Sequence, residues 1–330
     1  MQQKPAYGSS FTSLKHPGIQ HLISQQAALT PGMLAVVRGK NYLTYAQLER
    51  QANQLAHALQ KREIGPGVCV GVYLTGSVDL LIALLAILKA GGCFVLLETA
   101  VPISHVLSQL TRCAAPLVLT HQQPGKQLDA YAGDLLCLDR DQFLWFGESS
   151  SPPVVSYTEE QTACVISPSY SNEEHLAVQI SQRCLLDYCS GLITSLALEP
   201  AWHFSQASTL AVDLAYGLLF PALLTGGCVH LLPEEQMHDS TSLAYHLQSQ
   251  PIDLLRILPS RLLTLLNADH SNSVLPRKRL LLEGEFFDGS LLERLISLEP
   301  SCVIYKHDGL TKSALDPLAN PLYEHYRSHG

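Results

Sequence analysis

The sequence predicts an α/β fold with a mostly parallel sheet. Three observations predict it: apolar runs of strand length, helical periodicity between those runs, and glycine turns where the helices end. The chain has 330 residues, of which 47% are apolar and only 15% are charged. It is therefore long enough for one large domain or two ordinary domains with an ample core.

The first half of the chain alternates between helix and strand patterns. In the segment Thr44–Gly65, apolar residues recur on one helical face, with Thr44 or Tyr45 near the start of the helix and Gly65 after its end. The segments that follow are strand GVCVGVYL, helix Val78–Lys89, strand CFVLL, helix HVLSQLTRCAA and strand PLVLT. Strands with little polar alternation are typical of a sheet covered on both faces, so a parallel sheet is predicted.

The second half resumes this alternation after a looser connection over residues 122–157. Two strands are predicted around a polar segment, Ala163–Ile166 and the alternating run from Leu176 to Ile180. The later segments are CLLDYCSGLITSLAL, GLLFPALLTGG, CVHLL, DLLRILPSRLLTLL, KRLLLEG, LLERLISL and SCVIYK. The most apolar stretch, Leu80–Leu97, is interrupted by Lys89 and by a pair of glycines, which favours a buried helix and strand over a membrane span.

Composition excludes several classes of function. The net charge of −8 argues against binding nucleic acid or an anionic membrane, and the polar N-terminus does not resemble a signal peptide. Nine cysteines without a CxxC pair predict reduced thiols and a cytoplasmic protein. There is no GxSxG, HExxH or GxGxxG motif, and the 14 histidines lack metal-ligand spacing, so no metal site and no catalytic residue are predicted.

Two long blocks of the sequence resemble the adenylate-forming enzymes, and most closely the adenylation domains of nonribosomal peptide synthetases. The first block contains LTYAQLERQANQLAHAL, GPGVCV and AILKAGGCFVLL, and the second is VDLAYGLLFPALLTGGCVHLL. The resemblance runs from about Ala27 to about Pro317. It implies a large core of two stacked, mostly parallel α/β subdomains that binds ATP, Mg²⁺ and an amino or aryl acid.

The resemblance also implies a domain organisation. Residues 1–26 would be an N-terminal extension, residues 27–160 the first α/β subdomain, and residues 161–330 the second. The family's small C-terminal lid domain, which supplies a catalytic lysine, is expected to be absent, because the given sequence ends soon after the segment HDGLTKS. Its loss would expose apolar surface and favour a partner or self-association.

The family's phosphate loop corresponds to residues 167–177 of this chain. Two serines are retained, Ser169 and Ser171, but the glycines correspond to Tyr170, Glu173 and Ala177, and the lysine to Leu176. Glycines let backbone N–H groups close around phosphate, and the lysine neutralises its charge. A unit charge about 5 Å away is worth roughly 3 kcal/mol at a dielectric of about 20, so this loop is expected not to bind ATP productively. A capping box between Ser171 and Glu174 is the alternative interpretation of the same residues.

Two further nucleotide motifs are partly retained. Gly284 and Glu285 match a segment beside the base, although a plain turn after a strand explains them equally well. Gly309 and Thr311 match the motif around HDGLTKS, where Asp308 replaces the family's base-stacking aromatic residue and Lys312 replaces an acid that helps to hold Mg²⁺. No cofactor is therefore expected, and an ordinary surface turn is the alternative for this segment.

The resemblance assigns an acyl pocket as well. Asp213 corresponds to the aspartate that pairs with the substrate's α-ammonium group. A role as the N-cap of the following helix is the alternative interpretation of this residue. The pocket would consist of Asp213, Leu214, Gly217, Ile257, Leu281, Glu283, His307 and Leu315. Glu283 and His307 make it unusually polar, although His307 alone is more typical of a turn or a surface.

These observations predict a degenerate adenylation-like pseudoenzyme of a nonribosomal peptide pathway. It would bind a peptide-synthetase or carrier-protein-type partner, associate with itself, or bind an amino acid without adenylating it. The alternative is an active amino-acid or acyl adenylate-forming ligase with a divergent ATP loop and a lid domain supplied in trans. A third possibility is a structural fragment of a larger synthetase.

Overall fold

A computed structural model of the chain describes residues 18–74, 76–166, 177–207, 216–233, 239–267, 274–283, 289–298, 300–307 and 319–321. In these ranges the backbone forms helices and strands in alternation. The helices are α1 Ile19–Leu29, α2 Tyr45–Gln60, α3 Val78–Ala90, α4 Ile103–Arg112, α5 Gln122–Gly125, α6 Gln182–Ser195, α7 Tyr216–Leu224, α8 Ser240–Ser249, α9 Pro259–Asn267 and α10 Gly289–Ser297. Two 3-10 turns cover Lys126–Leu128 and Gln142–Leu144.

The strands form two sheets. They are β1 Leu34–Arg38, β2 Asn41–Thr44, β3 Cys69–Tyr73, β4 Cys93–Leu96, β5 Leu117–Thr120, β6 Asp134–Cys137, β7 Thr162–Ile166, β8 Val178–Ser181, β9 His203–Gln206, β10 Cys228–His230, β11 Leu254–Ile257, β12 Arg279–Glu283, β13 Val303–His307 and β14 Ala319–Pro321. One sheet has the order β14-β13-β12-β11-β9-β10-β1-β2 and the other has the order β6-β5-β3-β4-β7-β8. Only β2, β8 and β14 pair antiparallel within the described strands, so the predicted mostly parallel α/β fold is confirmed.

Local sequence signals place the predicted helices. The Thr44 hydroxyl accepts the Gln47 backbone N–H while the Gln47 side chain accepts the Thr44 N–H, a capping box that starts α2. Helix α3 has no polar face because residues 80–90 are all buried, which explains its continuous apolar sequence. It ends at Gly91, whose φ of 91° lies in the left-handed region that suits glycine.

Three apolar clusters define the layers. The largest lies between the sheets and includes Tyr45 of α2, Leu84 of α3, Phe94 of β4 and Phe204 of β9. A second cluster joins α8, α9 and α10 to the outer face of the eight-stranded sheet, and a third packs α4 on the outer face of the other sheet. Both sheets are therefore covered on both faces, as their strand sequences predict.

Two features differ from the sequence expectations. The loose connection over residues 122–157 contains β6, a four-residue strand that pairs parallel to β5 at the edge of its sheet and is too short to show a period. The sheets also exchange strands across the predicted subdomain boundary at residues 160 and 161. Strands β1 and β2 join the eight-stranded sheet, whereas β7 and β8 join the six-stranded one.

Candidate functional site

The two strands that flank the predicted phosphate loop, β7 and β8, form a β-hairpin. Strand β7 runs parallel to β4 and pairs antiparallel with β8, so that Ile166 lies opposite Val178 at the base of the connection. The predicted strand on either side of the polar segment is therefore confirmed. Residues 167–176, which include Ser169 and Ser171, lie outside the described residues.

The carboxyl ends of β11, β12 and β13 form one edge of the eight-stranded sheet. These strands are parallel, with Arg256 opposite Leu281 and Glu283 opposite His307. Since side chains alternate between faces, Arg256, Glu283 and His307 all project toward the central layer between the sheets. Ligands of open α/β sheets bind outside the carboxyl ends of the strands, so this edge is the candidate site.

A buried ion cluster occupies this edge. Glu283 Oε2 pairs with the Arg256 guanidinium at Nε, and Glu283 Oε1 lies 3.2 Å from His307 Nδ1. The side chains are only 2% exposed for Arg256, 4% for Glu283 and 2% for His307. An ionised carboxylate can only accept hydrogen bonds, so His307 donates from Nδ1 and Glu283 bridges the two other groups. Arginine and glutamate are seldom fully buried unless paired, and here they are paired with each other.

Two helices of the central layer cover the cluster. The Tyr188 ring of α6 meets the His307 ring edge-on, with 6.3 Å between the ring centroids. On α7, a Cβ added at Gly217 would lie 2.6 Å from Tyr188 Oη and 3.2 Å from Arg256 Nη1. The helix backbone therefore approaches the cluster so closely that only glycine fits without a shift.

The structure brings together four of the residues that the sequence assigns to the acyl pocket: Gly217, Leu281, Glu283 and His307. Ile257 lies elsewhere, because it belongs to the cluster on the outer face of the sheet, whereas Leu281 belongs to the central cluster. His307 is buried, unlike the turn or surface histidine that is typical of its sequence context. The remaining assigned residues are Asp213, Leu214, Leu315, Gly284, Glu285, Gly309 and Thr311, and they lie outside the described residues.

Sequence reasoning missed Arg256 and Tyr188. Arg256 stands between apolar residues in LLRILP, and a charge inside a strand of that kind is itself a signal for a buried partner. Tyr188 offers no such signal, since its position near Gly217 depends on how α6 packs against α7.

Each helix in the described ranges is too short or too polar to span a lipid bilayer.

Comparison with known proteins gives a consistent result. The family described as AMP-binding enzyme matches residues 23–315. A linear gramicidin synthase of Brevibacillus parabrevis is 35% identical over 231 residues, which are 69% of this chain and 3% of that protein. A second linear gramicidin synthase polypeptide of the same organism is 31% identical over 310 residues, which are 92% of this chain and 6% of that protein.

A solved structure of the nonribosomal peptide synthetase FmoA3 shares the fold. It superposes with a TM-score of 0.84 at 24% identity and covers 93% of this chain and 33% of its own. The chain thus spans a small fraction of the length of these curated relatives and about a third of this solved structure.

Proposed function

Because the chain belongs to the AMP-binding enzyme family, we propose that it is an adenylation-fold pseudoenzyme of a nonribosomal peptide pathway. It binds a synthetase or carrier-protein partner, or an amino acid, without adenylating it. The observation that carries this proposal is the buried pair of Arg256 and Glu283 at the edge where an acyl group would enter.

The ion cluster supports the proposal because a substrate could enter only if the ion pair were separated, which costs free energy. An acyl side chain entering between α7 and β12 would have to displace the Arg256 guanidinium, which lies beside the Cα of Gly217. Separating a buried ion pair leaves uncompensated charges and costs about 3–5 kcal/mol, or more than two orders of magnitude in affinity. This cost disfavours an acyl group at this edge, so within the proposal it supports a protein partner over an amino acid.

The loop sequence supports the proposal independently. Residues 167–177 carry Glu173 and Glu174 but no lysine, in a connection that joins β7 to β8. A carboxylate added to this loop repels triphosphate by roughly 3 kcal/mol at about 5 Å and a dielectric of about 20, and the replacement of the family's lysine by Leu176 removes an attraction of similar size. Binding of the acyl substrate and binding of the nucleotide are then both weakened.

An active ligase is the second candidate. It is favoured by the gathering of Gly217, Leu281, Glu283 and His307 on one side of the sheet, where a substrate would bind. In this case a lid domain supplied in trans would complete the site, and Glu283 with His307 would select a polar acyl group.

Amino-acid-dependent exchange between ATP and pyrophosphate separates the two candidates. The pseudoenzyme predicts no exchange above background with any of the 20 amino acids, with or without a candidate synthetase partner. It also predicts no heat on titration with ATP and Mg²⁺, whereas partner binding gives heat in the same calorimeter. Robust exchange in either condition would overturn the proposal.

A loop variant tests the physical cause. Tyr170→Gly, Glu173→Gly, Leu176→Lys and Ala177→Gly together restore the family's glycines and cation, and we expect nucleotide binding to appear. The matched control, Glu173→Gln with Glu174→Gln, removes the repulsion without adding a cation. This control should restore less nucleotide binding than the first variant. Equal nucleotide binding by the wild type and the restored variant would contradict the electrostatic account.

A further inference from the structure

We propose that His203, Cys228 and His230 form a zinc site on the outer face of the eight-stranded sheet. The potential ligand atoms of these three side chains all lie within 4.8 Å of one another. The site is separate from the ion cluster at the carboxyl edge, because it faces the layer that contains α8. It also departs from the sequence expectation that the histidines form no metal site.

Strand register brings the three side chains together. Cys228 and His230 are two residues apart on β10 and so project from the same face. His203 of the neighbouring parallel strand β9 lies opposite Cys228. The intervening residues, Val229 and Phe204, point the other way into the central cluster.

The three groups are close enough for one ion. His203 Nδ1 lies 2.7 Å from His230 Nε2, a contact in which two imidazoles share one hydrogen. Cys228 and His230 are buried at 4% and 3% exposure, while His203 is half-buried and leaves one side of the cluster open to water. Among the described residues, the buried Nδ1 of His230 has no hydrogen-bond partner, so the present contact does not satisfy the polar atoms of this cluster.

The backbone of His203 is fixed by Asp253. The His203 N–H donates to Asp253 Oδ2 at 2.9 Å, and the Asp253 N–H donates to the His203 carbonyl at 2.8 Å. This double contact holds the start of β9 against the loop before β11. It also places a carboxylate near His203, where negative charge favours a bound cation.

Two imidazoles and a thiolate match zinc in softness. Sites with three protein ligands leave one position for water, and mixed nitrogen and sulfur donors favour Zn²⁺ over Mg²⁺ or Ca²⁺. On binding, the Cys228 thiol releases its proton to water and a sulfur–zinc bond forms. The hydrogen between the imidazoles moves to the outer nitrogen of its own ring, so that one proton is released for each ion bound.

Cobalt titration of the full chain, freed of metal by a chelator, tests this site. We expect one equivalent of Co²⁺ to give a thiolate charge-transfer band, and Zn²⁺ to abolish it. Cys228→Ser should lose the band, and His230→Gln should weaken binding beyond the roughly 10–100-fold typical of changes behind the ligands. The matched controls Cys184→Ser and His105→Gln alter an exposed thiol and an exposed imidazole, and both should keep the band.

X-ray absorption at the zinc edge of the wild-type protein gives a test that does not depend on folding of the variants. The proposal expects one sulfur at about 2.3 Å and two imidazole nitrogens at about 2.0–2.1 Å. No cobalt band in the wild type, a band that survives Cys228→Ser, or a zinc shell without sulfur would each overturn the site. A structural hydrogen bond between His203 and His230 would then be the role of this pair.

Discussion

Two buried ion clusters in this protein have similar chemistry but different positions. In the first half of the chain, Lys89 Nζ of α3 lies 2.8 Å from Glu49 Oε1 and 2.6 Å from Ser24 Oγ, so it joins α3 to α2 and α1. In the second half, Arg256 and Glu283 join neighbouring strands at the carboxyl edge of a parallel sheet. Burial and pairing therefore do not by themselves mark a functional site. The position at the carboxyl ends of parallel strands is what makes the second cluster a candidate site.

The clusters also differ in how completely they are removed from water. Glu49 is 17% exposed and accepts additional hydrogen bonds from Ser24 and Asn53, whereas Glu283 is only 4% exposed. Burial lowers the pKa of Lys89, and the neighbouring Glu49 only partly restores it. Removal of the cation should therefore reduce the unfolding free energy less in the first cluster than in the second.

The largest expected effect follows from removing the cation of the second cluster. Arg256→Met leaves the Glu283 carboxylate buried without its guanidinium partner, and we expect unfolding free energy to fall by about 3–5 kcal/mol in urea denaturation. The double variant Arg256→Met with Glu283→Leu should recover most of this loss, because no buried charge remains. A loss below about 1 kcal/mol for the single variant would contradict the assignment of a fully buried pair.

The next effect concerns the close approach of α7. Gly217→Ala places a methyl group against Tyr188 Oη and Arg256 Nη1, and we expect a loss of about 1–3 kcal/mol from overpacking. Gly289→Ala on α10 is the matched control, since a Cβ there meets nothing within 4 Å. Equal stability of the two variants in thermal denaturation would show that the space beside Arg256 is open.

The matching variant in the first cluster is Lys89→Met. We expect a loss of about 1–2 kcal/mol, below the range for fully buried pairs, because the Glu49 side chain is less buried than that of Glu283 and keeps the neutral donors Ser24 and Asn53. Urea denaturation beside Arg256→Met makes the comparison direct. If the two methionine variants lose the same unfolding free energy, exposure of the carboxylate does not distinguish the clusters.

The smallest effect is a change in titration beside the first cluster. Burial and the charge of Lys89 lower the pKa of His21 below 6.5, while Glu49 raises it. Just below pH 6.5, His21 therefore binds more protons in the unfolded chain than in the folded one. The contribution of His21 to stability is present above that pH and is lost as the pH falls through the folded pKa. Lys89→Met should raise the pKa of His21 in an NMR titration, and an unchanged pKa would contradict this coupling.

Local patterns in the sequence predicted much of the fold. The capped start of α2, the all-apolar helix α3 and the strand on each side of residues 167–176 follow from periodicity and end signals. The resemblance to adenylation domains agrees with the family match over residues 23–315. Strand β6 escaped prediction because four residues at a sheet edge carry too little periodic signal.

Tertiary structure decided which of these local elements meet. Strand β1 pairs with β10 although all six strands of the other sheet lie between them in sequence, and β7 pairs with β4 although β5 and β6 lie between these two. The face on which a side chain lies depends on register, which puts Arg256 with Glu283 and sends Ile257 to the opposite side. The contact between His203 and His230 has the same origin. Periodicity records only whether a residue is buried, whereas its partner is set by pairing between strands that are distant in sequence.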